Sequence, residues 1–133
     1  MLTQEQIMRI LEEVTSDKRV QTVLLCGSYA YGKPTDESDL DIRCITNDGS
    51  DWPEIRKQFG TTIEIFFNSR EKVLSYFDED QQSNEADCIS AWDQGIIYYD
   101  PNSVGLGLKN KAKEIFNKGP YNGMWKKSTK HNI

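Results

Sequence analysis

Hydrophobic positions change their spacing several times along the chain, and each change marks an element. Between residues 3 and 14, Ile7, Ile10, Leu11 and Val14 recur every three or four positions, which predicts a helix with one apolar face. Thr3 and Gln6 stand at capping-box spacing, and Leu2 can staple onto Ile7. Ser16-Asp17-Lys18 reads as a turn. Val23-Leu24-Leu25-Cys26 is then a short unbroken apolar run ended by Gly27, so a buried strand is expected over about 20–26. Residues 32–38, with Gly32, Pro34, Asp36 and Ser38, form a loop. From Ser38 to Ile45 the pattern alternates. That places Asp39, Asp41 and Arg43 on one face of a strand and Leu40, Ile42 and Cys44 on the other.

After a turn at residues 47–50, Trp52, Ile55 and Phe59 fall at helical spacing. Pro53 is tolerated in a first helical turn and Gly60 can end one, so the pattern predicts a helix over 52–59. Thr61–Phe67 is a β-branched and aromatic run with one acid, Glu64. Ser69 can cap a helix through Val73, Leu74 and Phe77. The polar, acidic stretch 78–85 reads as an exposed connection into a helix carrying Ala86, Ile89 and Trp92. Residues 95–101 read as a short strand closed by a proline turn. Leu108, Ala112, Ile115 and Phe116 line a last helix, with Gly119-Pro120 as its stop. There are no repeats and no dividing linker. One domain is expected over residues 1–120, followed by a polar tail over 121–133, disordered in part or docked through Tyr121, Met124 and Trp125.

The composition, 37% hydrophobic and 28% charged, is that of an ordinary globular domain, and 133 residues suffice for a single core. No apolar stretch approaches a membrane span and no signal-peptide pattern opens the chain, so a cytoplasmic protein is expected. A net charge of −5 argues against a general grip on nucleic acid and would suit a cationic acceptor. Lys126, Lys127 and Lys130 read as a solvated tail. The three cysteines, Cys26, Cys44 and Cys88, have no zinc-like spacing. Cys26 and Cys44 lie in apolar runs, which points to core residues in a reducing compartment. The single histidine, His131, is in the tail, which argues against a mechanism built on Ser-His or Cys-His.

Three places invite chemistry. The Gly27-Ser28 turn can aim backbone N–H groups at an anion, or it can be a tight turn with no ligand. Asp39 and Asp41 repel unless neutralised: Mg²⁺ would do so, and so would a pairing of Arg43 with Asp41. Glu64 in a strand is costly to bury unless paired or bound to a cation; otherwise it is an outward-facing edge residue. Lys33 reads as solvated, within reach of a phosphate.

Gly27-Ser28, then ten residues, then Asp39-Leu40-Asp41, with Gly27-Ser28-Tyr29-Ala30-Tyr31-Gly32 and Ser38 in place, resembles the nucleotidyltransferase superfamily that includes DNA polymerase beta. The resemblance covers about residues 20–67 strongly and 95–119 weakly. It implies an α+β fold, a mixed β-sheet flanked by helices, holding an NTP, with ATP the expected donor, and two Mg²⁺ ions. Gly27, Ser28 and Ser38 would bind the nucleotide. Asp39, Asp41 and Glu64 would hold metal and carry catalysis, with Glu64 as a metal ligand or as the base for the acceptor. The implied reaction moves a nucleoside monophosphate to an acceptor hydroxyl or phosphate and releases pyrophosphate. A small molecule such as an aminoglycoside-type drug is the expected acceptor. Adenylylation of a partner toxin by a minimal antitoxin, a site shared across a homodimer, and a non-catalytic nucleotide-binding module are the alternatives. A strand followed by Asp also recurs near the nucleotide end of small-molecule relatives, which marks Asp100, unless it is only a turn residue before Pro101.

Overall fold

The capping box expected at the N-terminus is formed. In the computed structural model, which describes residues 1–127, Thr3 Oγ1 accepts from Gln6 N and Gln6 Oε1 accepts from Thr3 N, at 3.1 and 2.9 Å. Both bonds satisfy N–H groups that a helix start would otherwise leave open. Helix α1 (Gln4–Thr15) buries Ile10, Leu11 and Val14 against the sheet.

Five strands follow with four further helices: β1 (Val20–Cys26), α2 (Gly27–Tyr31), β2 (Leu40–Thr46), β3 (Trp52–Gln58), β4 (Thr61–Asn68), α3 (Arg70–Ser83), α4 (Asp87–Gln94), β5 (Ile96–Tyr99) and α5 (Val104–Lys118). The sheet order is β3-β4-β2-β1-β5. β2 and β4 run parallel, and the other neighbours are antiparallel. Alternation sorts the side chains into two cores. Val23, Leu40, Ile42, Cys44, Ile63, Ile65 and Phe67 pack with α1 on one face. Leu24, Cys26 and Ile45 pack on the other face with Phe77, Ile89, Trp92 and Leu108 from α3, α4 and α5. The fold is α+β with a mixed sheet flanked by helices, as expected.

Two expectations are corrected. Residues 52–58 are a strand, not a helix. The spacing of Trp52, Ile55 and Phe59 imitates a helical stripe, but Trp52, Glu54, Arg56 and Gln58 are half-buried while Pro53, Ile55 and Lys57 are exposed, a period of two. Trp52 stacks on Phe67 of β4 with ring centroids 4.1 Å apart, and Arg19 lies over the other face of the indole. Pro53 is accommodated because β3 is an edge strand. Phe59 and Gly60 both have positive φ, 53° and 75°, the signature of a two-residue hairpin turn.

The second correction concerns the stretch 78–85. α3 continues through Ser83 and stops at Asn84, which adopts the left-handed conformation. Asp80 is buried there. Its carboxylate accepts from Ile89 N at 2.9 Å, capping α4 from the neighbouring helix, because Ala86 offers no capping side chain. Burial nevertheless pushes the Asp80 carboxyl up to about 6, against the lowering effect of the Ile89 N–H.

Both ends of α4 are secured by distant residues. Lys109 Nζ donates to the carbonyls of Trp92, Asp93 and Gly95, three acceptors where the helix ends. After α5 the chain returns across the α3–α4 junction: Asn84 Nδ2 donates to the carbonyls of Asn122 and Met124, and Lys126 N donates to Asn84 O. Trp125 stacks on Phe116 and donates to its carbonyl. Trp125 therefore docks, whereas Tyr121, which donates its hydroxyl to Asp78, and Met124 are exposed. Lys130 and His131 lie outside the described residues.

Candidate active site

Strand register brings the acidic residues together. Asp41 on β2 lies opposite Glu64 on the parallel strand β4 and opposite Cys26 on β1. The chain leaves β1 at Cys26 and turns at once into α2, so Gly27 comes against Asp41. A Cβ on Gly27 would lie 2.5 Å from Asp41 Oδ2, and Gly27 has φ +69°. Only glycine meets both demands without displacing the carboxylate.

α2 is held from outside. Leu2 N donates to the Tyr29 hydroxyl at 3.0 Å, and Gly32 ends the helix in the left-handed conformation. Cys26 provides no side-chain cap, so the α2 N–H groups have no side-chain acceptor there. Ser28 is half-buried in its first turn. Ser38 is occupied in shaping the loop: its hydroxyl accepts from Thr35 N at 2.8 Å. Asp39 is exposed just before β2, and Lys33 is exposed after α2.

The electrostatics single out Asp41. Burial, then the neighbouring charges of Glu64 and Asp39, push its carboxyl up from 3.8 to about 6, with Arg43 pulling the other way. Hydrogen bonding with Glu64 adds to the rise. The Arg43–Asp41 ion pair considered from the sequence is not formed: no ion pair among the described residues involves Arg43. A carboxylate pair without a contacting counter-ion, with a third acid one strand step away, is a hard-oxygen donor set that fits a divalent cation. Among the described residues, no three acid, thiol or imidazole side chains already stand at metal-binding spacing. Asp41 and Glu64 thus form the paired part of the set, and Asp39 stands at its margin.

Beside the pair is a cavity of about 220 Å³ lined by Gly27, Tyr31, Arg43, Phe66 and Asp87, among others. Of these, Tyr31, Phe66 and Asp87 carried no signal in the sequence, because they come from three separate elements. All three thiols are buried and unpaired. Burial raises each, Cys26 and Cys88 to about 12, so none supplies a nucleophilic thiolate.

Asp100 lies outside this cluster and has a structural task. One of its oxygens accepts from Thr22 Oγ1 and Gly105 N, the other from Leu106 N, each at 2.8 Å. It caps α5 and ties it to β1. Gly105 permits the approach, since a Cβ there would sit 2.5 Å from Thr22 Cγ2.

A mixed sheet with an acidic pair on a parallel ladder, facing a Gly-Ser turn, defines a nucleotidyltransferase fold. The chain belongs to the nucleotidyltransferase domain family, whose model matches residues 7–122. Among solved structures it is similar to a nucleotidyltransferase-like protein from Exiguobacterium sibiricum 255-15, with a TM-score of 0.60 and 13% identity. That match covers 82% of this chain and 38% of the other, so the chain spans well under half the length of that relative. At this identity the likeness is one of fold. No curated protein sequence matches the chain.

Proposed function

We propose that the protein transfers a nucleoside monophosphate from an NTP, with ATP as donor, to a hydroxyl or phosphate of a small-molecule acceptor, releasing pyrophosphate. The observation that carries this reading is the Asp41–Glu64 pair, set side by side across β2 and β4 with Gly27 against it.

Asp39, Asp41 and Glu64 would hold Mg²⁺. When bound, Mg²⁺ neutralises charge on the transferring phosphate and lowers the pKa of an acceptor hydroxyl. Gly27 leaves its backbone bare, so phosphate oxygens can approach the α2 N–H groups. The Ser28 hydroxyl adds a donor beside them, and Ser38 shapes the loop that presents Asp39. Glu64, beside Asp41 across the β2–β4 ladder, accepts the acceptor's proton as the new bond to phosphorus forms and the bond to pyrophosphate breaks. The transfer is direct, because the chain offers neither an activated thiol nor, among the described residues, a histidine.

Thermal unfolding with each of the four NTPs, with and without Mg²⁺, tests the reading on wild type and Asp41→Ala. A ligand bound only by the folded state raises its stability. The expected result is a Mg²⁺-dependent upward shift with ATP that is absent in the variant. An equal shift in both proteins would remove the carboxylate pair from the nucleotide site.

A further inference from the structure

Arg43 is the cation of the cavity, and its donors are poorly matched. A guanidinium carries five N–H donors. Here Nη1 meets the Cys88 sulfur at 3.8 Å, the Cys26 thiol is also within reach, and the planar group lies 5.1 Å from the Phe66 ring centroid. These are weak acceptors and a π face. Among the described residues, no hydrogen bond from Arg43 to oxygen is formed and no carboxylate lies within ion-pair distance, although Asp41, Glu64 and Asp87 line the same cavity. No Arg43 nitrogen is a buried donor without a partner among the described residues, so the donors that these weak contacts leave over stay open to a group entering the cavity.

The side chain is nonetheless held in place. It stands one strand step beyond Asp41 on the same face, and Phe66 stands opposite it in register, one step beyond Glu64. Phe66 is 38% exposed, so the ring supports the guanidinium from the open side. A planar fork stacked on an aromatic face is prepared for two parallel bonds to an oxyanion.

We propose that Arg43 is an oxyanion-binding residue lining this cavity, taking a phosphate or carboxylate group of a substrate bound next to Asp41 and Glu64. The proposal rests on reading that cleft as the transfer site, and it refines the acceptor. The expectation of a cationic acceptor came from net charge, a property of the whole surface. The cavity, which Asp41, Glu64 and Asp87 also line, offers one cationic group, Arg43, for an acidic group of a substrate. Two sources carry the same chemistry: an acidic group on the acceptor, or a phosphate of the nucleotide.

The test compares wild type, Arg43→Met and Arg43→Lys in saturating Mg²⁺. Methionine keeps an unbranched stem over Phe66, and circular dichroism with thermal midpoints checks that each variant folds. Binding of inorganic phosphate is followed by calorimetry and by the ¹⁵N-resolved Nε–H signal of Arg43. Saturable phosphate binding that shifts this signal and weakens about tenfold or more in a folded Arg43→Met, with partial rescue by lysine, supports the site. Equal phosphate affinity in folded wild type and Arg43→Met, or no binding by wild type, overturns it. Affinity for Mg·ATP then names the source. If Arg43→Met leaves it unchanged, the oxyanion belongs to the acceptor; if it falls with phosphate affinity, it belongs to the nucleotide. Loss of Mg·ATP binding in Asp41→Ala is scored separately, so failure of the transfer reading is not confused with failure at Arg43.

Discussion

Replacing Asp41 by Asn should stabilise the metal-free protein, and the gain should depend on pH. The wild-type carboxyl has its pKa raised from 3.8 to about 6, chiefly by burial and by Glu64. A raised acid favours folding while protonated, and that contribution is lost as pH rises through about 6. Above pH 7 the ionised form costs the fold up to about 3 kcal/mol. Asp41 is half-buried, and water at the edge of the pair screens the charge, so about half that figure is expected. Asn keeps the shape, carries no charge, and can donate to Glu64. In EDTA the variant should therefore match wild type near pH 3.5, below the unfolded value of 3.8, and exceed it by about 1–2 kcal/mol at pH 8, about 5 °C in Tm. Urea unfolding at a series of pH values measures the gap. A gap that stays constant between those pH values, or a variant less stable at pH 8, would show that the carboxylate is not held at a cost and would refute the reasoning.

Three further outcomes follow from the same geometry. Gly27→Ala should lower stability by about 1–2 kcal/mol, from the positive φ and the displaced Asp41 carboxylate, and should lower turnover by about a hundredfold; urea unfolding and pyrophosphate release report the two effects. Asp100→Ala should cost about 2–3 kcal/mol in unfolding, because three donors lose their acceptor, yet leave Mg·ATP affinity per folded molecule unchanged. Phe59→Asn should raise stability by about 0.5–1 kcal/mol, since asparagine tolerates the positive φ of the hairpin turn better than an exposed aromatic; a lower Tm would contradict the turn assignment.

Local signals are legible in the sequence wherever one element contains the whole pattern. The Thr3–Gln6 box, the β1 run and the β2 alternation each need only neighbouring residues. The spacing from Gly27-Ser28 to Asp39 and Asp41 carried the family because the turn and strand lie close in sequence. β3 imitates a helix because Trp52, Ile55 and Phe59 fall at helical spacing, although Trp52 and Ile55 lie on opposite faces of the strand. What separates strand from helix is tertiary: the Trp52–Phe67 stack and the ladder to β4. The stretch 78–85 misled for a related reason, since the N–H group that accounts for burying Asp80 belongs to another helix. Glu64 could be nominated from its strand, but its meeting with Asp41 depends on a parallel register that no local pattern encodes. Arg43 was visible on the acidic face, whereas its lack of an oxygen partner emerges only when α4 and β4 are in place.

The sheet can also be viewed as two antiparallel halves, β5-β1-β2 and β4-β3, joined along one seam. That seam is the β2–β4 ladder, and Asp41 and Glu64 face each other across it. In the empty protein, like charges strain the joint that unites the halves. A cation between them would act as a rivet, turning repulsion into attraction across that joint. Occupancy of the site and breathing of the sheet are then coupled: slower amide exchange at Ile42 and Ile65, buried on the opposite face, would register filling of the site as mechanical stiffening.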